Sequence, residues 1–433
     1  MSLYEHGRRV AIVAGVRTPF ARAGTLLKGF SAIELGKLAV AELLQRTALD
    51  GKEVEALVFG TVVPNVQAPN IAREVSLLPM LPKGVQAVTV SRACASANQA
   101  ITDAADQIVL GHVGVAIAGG AESLSNVPVL HSRRMSDALV AAGRAKSLGG
   151  RVKSLATVRP RDLVPITPAI AEPTTGESMG ESAEKMAKLN AIPRDEQDRL
   201  ALRSHRLAAA GTADGRLTAE IAPVWVAPSY EQVATSDNGV RDNTSLEQLS
   251  ALKPVFDRRY GTVTAGNSSP LTDGAAAVLL MAEDRARALG YQPIGYVRSY
   301  AYAALDPGEQ LLQAPVLAAP VALQRAGLTL ADMDLVEMHE AFAAQVLSNL
   351  QGFESRAWAE RAGFAEPVGA VDRARLNVMG GSIAIGHPFG ATGARITTTL
   401  CHELRRRGGQ FGLMTVCAAG GLGFAMVVEA GEA

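Results

Sequence analysis

The sequence predicts an α/β protein made of two similar halves, with a loop domain inserted in the first half. Short apolar runs alternate along the chain with segments in which apolar residues recur at helical spacing, which is the pattern of a sheet covered by helices. A proline-rich stretch separates two groups of these runs. The predicted strands are 10–13, 56–59, 85–90, 115–118, 335–338, 413–416 and 425–428.

The proline-rich stretch spans about residues 126–256 and contains few strand-like runs. Its prolines stand at positions 128, 160, 165, 168, 173, 223 and 228, and closely spaced prolines indicate loops rather than a continuous sheet. Helices are still expected within it, for example at 181–189. The predicted domains are therefore an N-terminal half (1–125 with 257–290), a loop domain (126–256) and a C-terminal half (291–433).

The two halves resemble each other in sequence. Residues 43–60 read LLQRTALDGKEVEALVFG and residues 322–339 read ALQRAGLTLADMDLVEMH, with four identities in 18 ungapped positions. Each segment predicts a helix, a turn and then an apolar strand at the same place. This shared order favours a duplication, and a duplicated α/β unit would have its active site between the halves, where equivalent strands end.

Composition excludes several classes of protein. Hydrophobic residues make up 48% of the 433 residues and charged residues 19%, which indicates a globular rather than a disordered chain. Because 42 Lys and Arg balance 42 Asp and Glu, no nucleic acid is expected as a partner. Three cysteines cannot all pair, and the chain shows neither a signal peptide nor an apolar run of about 18 residues. These features predict a cytoplasmic protein.

Cys94 lies where a predicted strand passes into a predicted helix, within SRACAS. A helix start favours the thiolate through its unpaired N–H groups, so we expect a lowered pKa for this thiol and a nucleophilic role. The alternative is a buried, unreactive cysteine, which is the commoner fate of a free thiol.

Two further side chains stand at the ends of predicted strands, and a third lies in a glycine-rich segment. His339 follows the strand 335–338, His387 lies in GGSIAIGHPFGATG, and Cys417 closes the strand 413–416. Ligands bind at the carboxyl ends of strands in α/β sheets, and the glycines around His387 allow the backbone to approach a ligand closely. A histidine at such a position can also be purely structural.

Two other patterns allow a functional or a structural interpretation. GESMG, at 176–180, has the spacing of a serine-hydrolase elbow around Ser178, but the preceding AEPTT does not predict the strand that such a turn requires. Residues 131–161 contain eight Arg and Lys and one acid, Asp137. This basic stretch is either a solvated face or a binding surface for an acidic partner or lipid headgroups.

Taken together, these residues resemble the motifs of the thiolases over about residues 9–428. SRACAS is similar to the nucleophile segment, HEAF at 339–342 to the NEAF or HEAF box, GGSIAIGHPFGATG to the GHP box, and CAAGGLG to the C-terminal CxGGGxG box. Residues 261–277 are similar to the family's coenzyme A segment. Within the family, the HEAF, SRAC and CAAGG variants and the basic insertion most resemble the 3-ketoacyl-CoA thiolase β-subunits of fatty-acid β-oxidation complexes.

The resemblance implies a duplicated five-layer αβαβα fold with a loop domain, and it implies site roles. Cys94 would carry the acyl group, His387 would take the proton of Cys94, and Cys417 would be the general acid. His339 would help to hold an enolate. The positions expected to bind the acyl-CoA are Ser269, Met179 and Ala419, of which Ala419 stands where most relatives have Gly. No metal and no permanently bound cofactor are expected, with coenzyme A as a substrate.

The implied function is cleavage of 3-ketoacyl-CoA by CoA to acyl-CoA and acetyl-CoA in fatty-acid β-oxidation. The alternatives are an acetoacetyl-CoA thiolase and, from other classes, a serine hydrolase or a non-catalytic partner-binding subunit. Ser178 stands where short-chain relatives have His, which disfavours a strict acetoacetyl-CoA preference. The expected partners are the acyl-CoA and CoA substrates, a second copy in a homodimer or tetramer, a hydratase and dehydrogenase α-subunit, and a membrane surface contacted by 131–161.

Overall fold

The computed structural model describes residues 8–166 and 171–431, and its strands include all seven predicted runs. Each predicted run lies in or overlaps a strand, so those predictions are confirmed. The strands are β1 (Val10–Arg17), β2 (Ala21–Arg22), β3 (Ala56–Gly60), β4 (Gln86–Val90), β5 (Val115–Glu122), β6 (Val224–Trp225), β7 (Val233–Ala234), β8 (Thr272–Ala282), β9 (Gly295–Ala304), β10 (Leu335–Met338), β11 (Phe411–Ala418) and β12 (Leu422–Ala430).

Several helices begin at residues whose side chains accept hydrogen bonds from the free backbone N–H groups of the first turn. The first helix, for example, has a capping box between Ser31 and Glu34 and ends at Ala48 in a left-handed conformation. The helices are α1 (Ala32–Thr47), α2 (Ile71–Ser76), α3 (Ser96–Val109), α4 (Arg133–Arg144), α5 (Leu148–Leu155), α6 (Met179–Leu189), α7 (Arg194–Ala213), α8 (Leu246–Ser250), α9 (Glu283–Ala288), α10 (Pro315–Ala326), α11 (Ala343–Phe353), α12 (Arg356–Arg361), α13 (Ser382–Ile385) and α14 (Thr392–Arg407).

The sheet confirms the duplication. Its order is β10-β11-β12-β9-β1-β8-β5-β3-β4, which divides into β4-β3-β5-β8-β1 and, in the second half, β10-β11-β12-β9. A parallel bridge from Val336 in β10 to Leu376 supplies the counterpart of the β3–β4 pair. The parallel and antiparallel senses then agree pair by pair, because β3–β5 and β10–β11 are parallel whereas β5–β8 and β11–β12 are antiparallel.

Helices cover and separate the two halves of the sheet. Helices α1 and α2 pack on the first half and α10 on the second, while α3 and α14 contact each other, and α14 packs against strands of both halves. One buried apolar cluster joins α3, α14 and strands of both halves. Gly393 allows this close approach, because a Cβ at that position would overlap the side chain of Asn98. The central helical layer therefore brings the beginnings of α3 and α14 side by side.

The chain forms two compact units. One consists of residues up to Ser125 together with those from Glu172 onwards, and the other is Asn126–Ala171, which contains α4 and α5. The loop domain predicted from the sequence starts at the same residue as the smaller unit but extends further, to 256. The three-domain division stays a prediction. Within the described ranges, no helix combines the length and apolar character needed to span a bilayer.

Candidate active site

The duplication places Cys94 and His387 at equivalent turns. Cys94 lies between β4 and α3, and His387 lies just before α14, the counterpart of α3 in the second half. Because α3 and α14 are neighbours in the central layer, these two turns meet. Sequence reasoning identified both residues but not their equivalence, which becomes visible only when the sheet orders of the two halves are compared.

Two backbone N–H groups point at the thiol of Cys94. One belongs to Cys94 itself and the other to Ala419. The preceding Ala93 has a φ of 45°, so the chain turns sharply here. Loss of hydration raises the pKa of the Cys94 thiol to about 12, and the two N–H groups offset this only in part. The expectation that the helix start lowers this pKa is therefore wrong, because dry surroundings outweigh the helix.

Two buried imidazoles complete a compact cluster with this thiol. Potential ligand atoms of Cys94, His339 and His387 all lie within 4.8 Å of one another, and the ring centroids of the two histidines are 4.1 Å apart. These side chains are also the one group of three potential metal ligands in the part of the chain that the structure describes. The sequence prediction that His339 and His387 lie close to Cys94 agrees with this geometry.

Each imidazole is held through Nδ1 by a hydroxyl group. His339 Nδ1 is 2.9 Å from Ser382 Oγ, and His387 Nδ1 is 2.6 Å from Thr392 Oγ1. Both Nε2 atoms are buried without a hydrogen-bond partner, which leaves them available to a substrate. Burial, with a contribution from the charge of Arg395, lowers the pKa of His387 to about 3 and that of His339 well below its usual value. Both rings are therefore neutral at physiological pH.

Cys417 lies near the end of β11 and interacts with Cys94. It is 1% exposed, and burial together with the neighbouring Cys94 raises its pKa well above the usual range. It packs in an apolar cluster that also includes Met179 and Phe342. The two sulfurs are thus close enough to interact, and both are protonated thiols at neutral pH.

Ala419 and Ser269 lie on segments that contact this cluster. Ala419 follows β11. In the described turn after this strand, Gly420 and Gly421 have positive φ but Ala419 does not, so its backbone conformation does not require glycine. The N–H of Ser269 donates to Ala341 O at 2.9 Å. The segment 261–277, which resembles the family's coenzyme A segment, is therefore hydrogen-bonded to the HEAF residues. Ser269 itself is half-buried.

Sequence reasoning missed a buried carboxyl group beneath the His387 loop. Glu122 accepts hydrogen bonds from the N–H groups of Val62, Val63 and Gly390 at 2.9–3.0 Å. Burial raises its pKa to about 7 despite these donors. A glutamate at the end of an apolar strand, in VAIAGGAE, is the signal that could have identified it.

The structure does not support Ser178 as a nucleophile. Ser178 is the N-cap of α6, where its hydroxyl accepts from Glu181 N and contacts the Glu181 carboxylate at 2.8 Å. A turn rather than a strand precedes it, so the elbow geometry is absent from this segment. The serine-hydrolase alternative is therefore wrong, because the GESMG pattern arises from a helix cap.

Two family descriptions match almost the whole described chain. The thiolase N-terminal domain matches residues 10–284 and the thiolase C-terminal domain matches residues 291–430. The chain therefore belongs to the thiolase family. As a member of this family it is an acyltransferase, and the predicted thiolase-like fold is confirmed.

The chain is similar to individual thiolases in sequence and in structure. The chain is 52% identical over 424 residues to the 3-ketoacyl-CoA thiolase of Aeromonas salmonicida (strain A449), covering 98% of this chain and 97% of the relative. It is 53% identical over 424 residues to that of Pectobacterium carotovorum subsp. carotovorum (strain PC1), with the same coverage. Human mitochondrial 3-ketoacyl-CoA thiolase, in a crystal structure with CoA, matches with a TM-score of 0.81 and 33% identity over 99% of both chains. The Bacillus anthracis acetyl-CoA acetyltransferase structure matches with a TM-score of 0.82 and 33% identity, over 98% of this chain and 99% of that one.

Proposed function

We propose that this protein is a 3-ketoacyl-CoA thiolase, which cleaves 3-ketoacyl-CoA with CoA into acyl-CoA and acetyl-CoA in fatty-acid β-oxidation. The observation that carries the proposal is the cluster of Cys94 with two neutral imidazoles, together with Cys417 beside it. Relatives that are about half identical to the chain carry the same name. Coenzyme A and acyl-CoA are then substrates, and no permanently bound cofactor has a role in the reaction.

The first half of the reaction forms an acyl-enzyme. As the Cys94 sulfur attacks C3 of the substrate, its proton passes to Nε2 of His387. Because burial disfavours both the thiolate of Cys94 and the imidazolium of His387, we expect proton transfer to accompany the attack. The N–H groups of Cys94 and Ala419, which point at the sulfur, are suitably placed to stabilise the C3 oxyanion.

Cleavage of the C2–C3 bond then leaves an acyl group on Cys94 and an enolate of acetyl-CoA. Nε2–H groups of His339 and His387 hold the enolate oxygen, and the thiol of Cys417 protonates C2 to release acetyl-CoA. In the second half, the Cys417 thiolate takes the proton of CoA, whose sulfur attacks the acyl group. Cys94 leaves as a thiolate and recovers its proton from His387, so the enzyme returns to its starting state.

Acyl-CoA binding would use the segments that contact the cluster. Ser269 lies on the segment attached to the HEAF residues, and Met179 packs in the apolar cluster that contains Cys417. We infer that both contact the acyl-CoA. Ser269→Ala should then raise the KM for CoA, whereas an unchanged KM would leave Ser269 as a structural turn residue.

Substrate length separates this proposal from the acetoacetyl-CoA thiolase alternative, which shares all the catalytic groups. The purified protein should cleave 3-ketoacyl-CoA substrates of about twelve carbons at least as well as acetoacetyl-CoA, measured as kcat/KM for each chain length. A strict preference for four carbons would overturn the proposal. Cys94→Ala should abolish CoA-dependent cleavage while circular dichroism stays unchanged, and near-normal turnover in that variant would refute the role of Cys94. No cleavage by the wild-type protein would instead favour a non-catalytic subunit.

A homodimer is supported by an open sheet edge. Among the strands that the structure describes, β4 pairs with β3 alone, and its Val88 is 48% exposed. Uncovered edge strands bind other strands unless they are protected. We infer that two copies associate through β4, and that Val88→Asp shifts the protein toward monomers in sedimentation velocity. Leu189→Asp, at another exposed apolar position, is the matched control, and equal association of both variants would contradict this interface.

The basic stretch 131–161 combines cations with exposed apolar side chains. Arg133 has a side chain that is 91% exposed, and Leu148 and Val152 are 77% and 61% exposed. Anionic lipid surfaces bind such a combination, so we propose a peripheral membrane contact here. Charge reversal at Arg133, Arg134 and Arg151 should reduce binding to anionic vesicles at low salt. Unchanged vesicle binding would refute this, and loss of binding only to a hydratase and dehydrogenase α-subunit would identify that subunit as the occupant.

The proposed compartment is the cytoplasm. Cys94, Cys401 and Cys417 are all free thiols, which agrees with a reducing environment. Cys94 and Cys417 must also remain reduced to perform the proposed chemistry.

A further inference from the structure

His339 and His387 have different hydrogen-bonding surroundings at Nδ1. The hydroxyl of Ser382, which contacts His339 Nδ1 at 2.9 Å, also accepts a hydrogen bond from Arg395 Nη2 at 3.2 Å. The guanidinium of Arg395 is 1% exposed. Since an arginine can only donate, it uses a lone pair of the Ser382 oxygen and leaves the hydroxyl proton free.

That proton has one acceptor. Among the described residues, the hydrogen-bond partners of Ser382 Oγ are Arg395 and His339 Nδ1, so donation of the O–H to Nδ1 satisfies every group. The opposite arrangement, with Nδ1–H donating to Ser382, would leave the hydroxyl proton buried without an acceptor, which is costly. It would also direct a second N–H dipole toward the oxygen that already faces the Arg395 cation. His339 therefore has its own proton on Nε2.

The Thr392 hydroxyl at His387 has a different second partner. It lies 3.2 Å from the carbonyl oxygen of Pro388, which can only accept. Thr392 can therefore donate to Pro388 and accept from His387 Nδ1–H at 2.6 Å. In this arrangement Nε2 of His387 has a free lone pair.

We propose that the Arg395–Ser382 pair fixes His339 as a permanent Nε2–H donor, while Thr392 holds the adjacent His387 in the opposite tautomer, with Nε2 unprotonated. The catalytic consequence rests on the proposed function. In that function, His387 is ready to accept the Cys94 proton, and His339 is ready to donate a hydrogen bond to the enolate. Ser382 and Arg395 are then positioning residues, which act through His339 and do not touch the substrate.

The tautomers can be observed without any activity. Two-bond ¹H–¹⁵N correlation spectra of the full chain, labelled with ¹⁵N-histidine, show which ring nitrogen has the proton; His339→Asn and His387→Asn assign the two rings. We expect the Nε2–H pattern for His339 and the Nδ1–H pattern for His387. The same tautomer for both rings, or Nδ1–H for His339, would overturn the proposal even if the protein is an active thiolase. The expected spectra in a protein without thiolase activity would instead contradict only the proposed function.

Kinetics of Ser382 variants give a second test. Ser382→Ala should lower kcat roughly tenfold, the worth of one hydrogen bond, with KM nearly unchanged, and its His339 signal should lose the fixed Nε2–H pattern. Ser382→Thr keeps the hydroxyl and should restore both readouts. Ser299→Ala is the matched control, because it removes another buried hydroxyl, which donates to Ala322 O. A fall in kcat with an unchanged His339 tautomer would refute the role of Ser382.

Discussion

Removing the imidazole of His387 should leave Cys94 almost unreactive at neutral pH. Asn at position 387 keeps much of the side-chain volume but cannot accept a proton. Burial raises the pKa of the Cys94 thiol from 9.0 to about 12, about 3 pKa units, which corresponds to roughly a thousandfold less thiolate than in an ordinary cysteine. Without a base to accept the proton during attack, alkylation of Cys94 should fall toward that limit, whereas the wild-type thiol can react with the help of His387.

Iodoacetamide alkylation, followed by peptide mass spectrometry, measures this directly. In His387→Asn we expect Cys94 to react 10²- to 10³-fold more slowly than free cysteine at the same pH, and much more slowly than in the wild type. His402→Asn is the matched control, because it removes a half-buried histidine in the C-terminal half of α14. Alkylation of Cys94 in His387→Asn within tenfold of free cysteine would show that burial does not keep the thiol protonated, and would refute the reasoning.

Two further substitutions test the neighbours of this pair. Cys417→Ala should lower turnover by 10²-fold or more while alkylation of Cys94 stays within a few-fold of the wild type; normal turnover would exclude Cys417 as the acid. Glu122→Gln should lower the free energy of unfolding by about 2 kcal/mol, because an amide nitrogen cannot accept from Val62 N or Gly390 N. Since burial raises the pKa of Glu122 from 4.5 to about 7, the folded state holds this proton more tightly than the unfolded chain, and wild-type stability should fall as pH rises through this window. Urea unfolding at several pH values measures both effects, and parallel pH profiles for the wild type and Glu122→Gln would contradict the Glu122 assignment.

Much of the fold could be predicted from local patterns. The apolar runs that became β1, β3, β4, β5, β10, β11 and β12 are short, strand-like and separated by helical periodicity. The strands β8 and β9 were missed. In β8, TDGAAAVLLMA is buried along its whole length, so it shows no alternation, and its alanines have low strand propensity. Its position in the middle of the sheet, between β1 and β5, depends on contacts distant in sequence.

The residues of the site could be predicted from the sequence, but their pKa values and hydrogen-bond partners could not. Cys94, His339 and Cys417 stand out at or just after strand ends, His387 stands out in a glycine-rich segment, and the motif resemblance implies that they meet. The sign of the Cys94 pKa shift could not be predicted, because it is set by burial. Cys94 packs against a core cluster that includes residues distant in the chain, such as Ala418. The hydroxyl partners of the two histidines could not be predicted either. The role of Ser382 depends on its hydrogen bond with Arg395 on α14, which the local sequence does not show.

The most direct measurement of the central claim is the site of the covalent intermediate. The protein is incubated with a 3-ketoacyl-CoA in the absence of free CoA, quenched with acid and digested for mass spectrometry. The account predicts one acyl group per chain, attached to Cys94, and its removal when CoA is added. An acyl group on Cys417 or on Ser178, or steady cleavage with no acylated peptide at all, would contradict it.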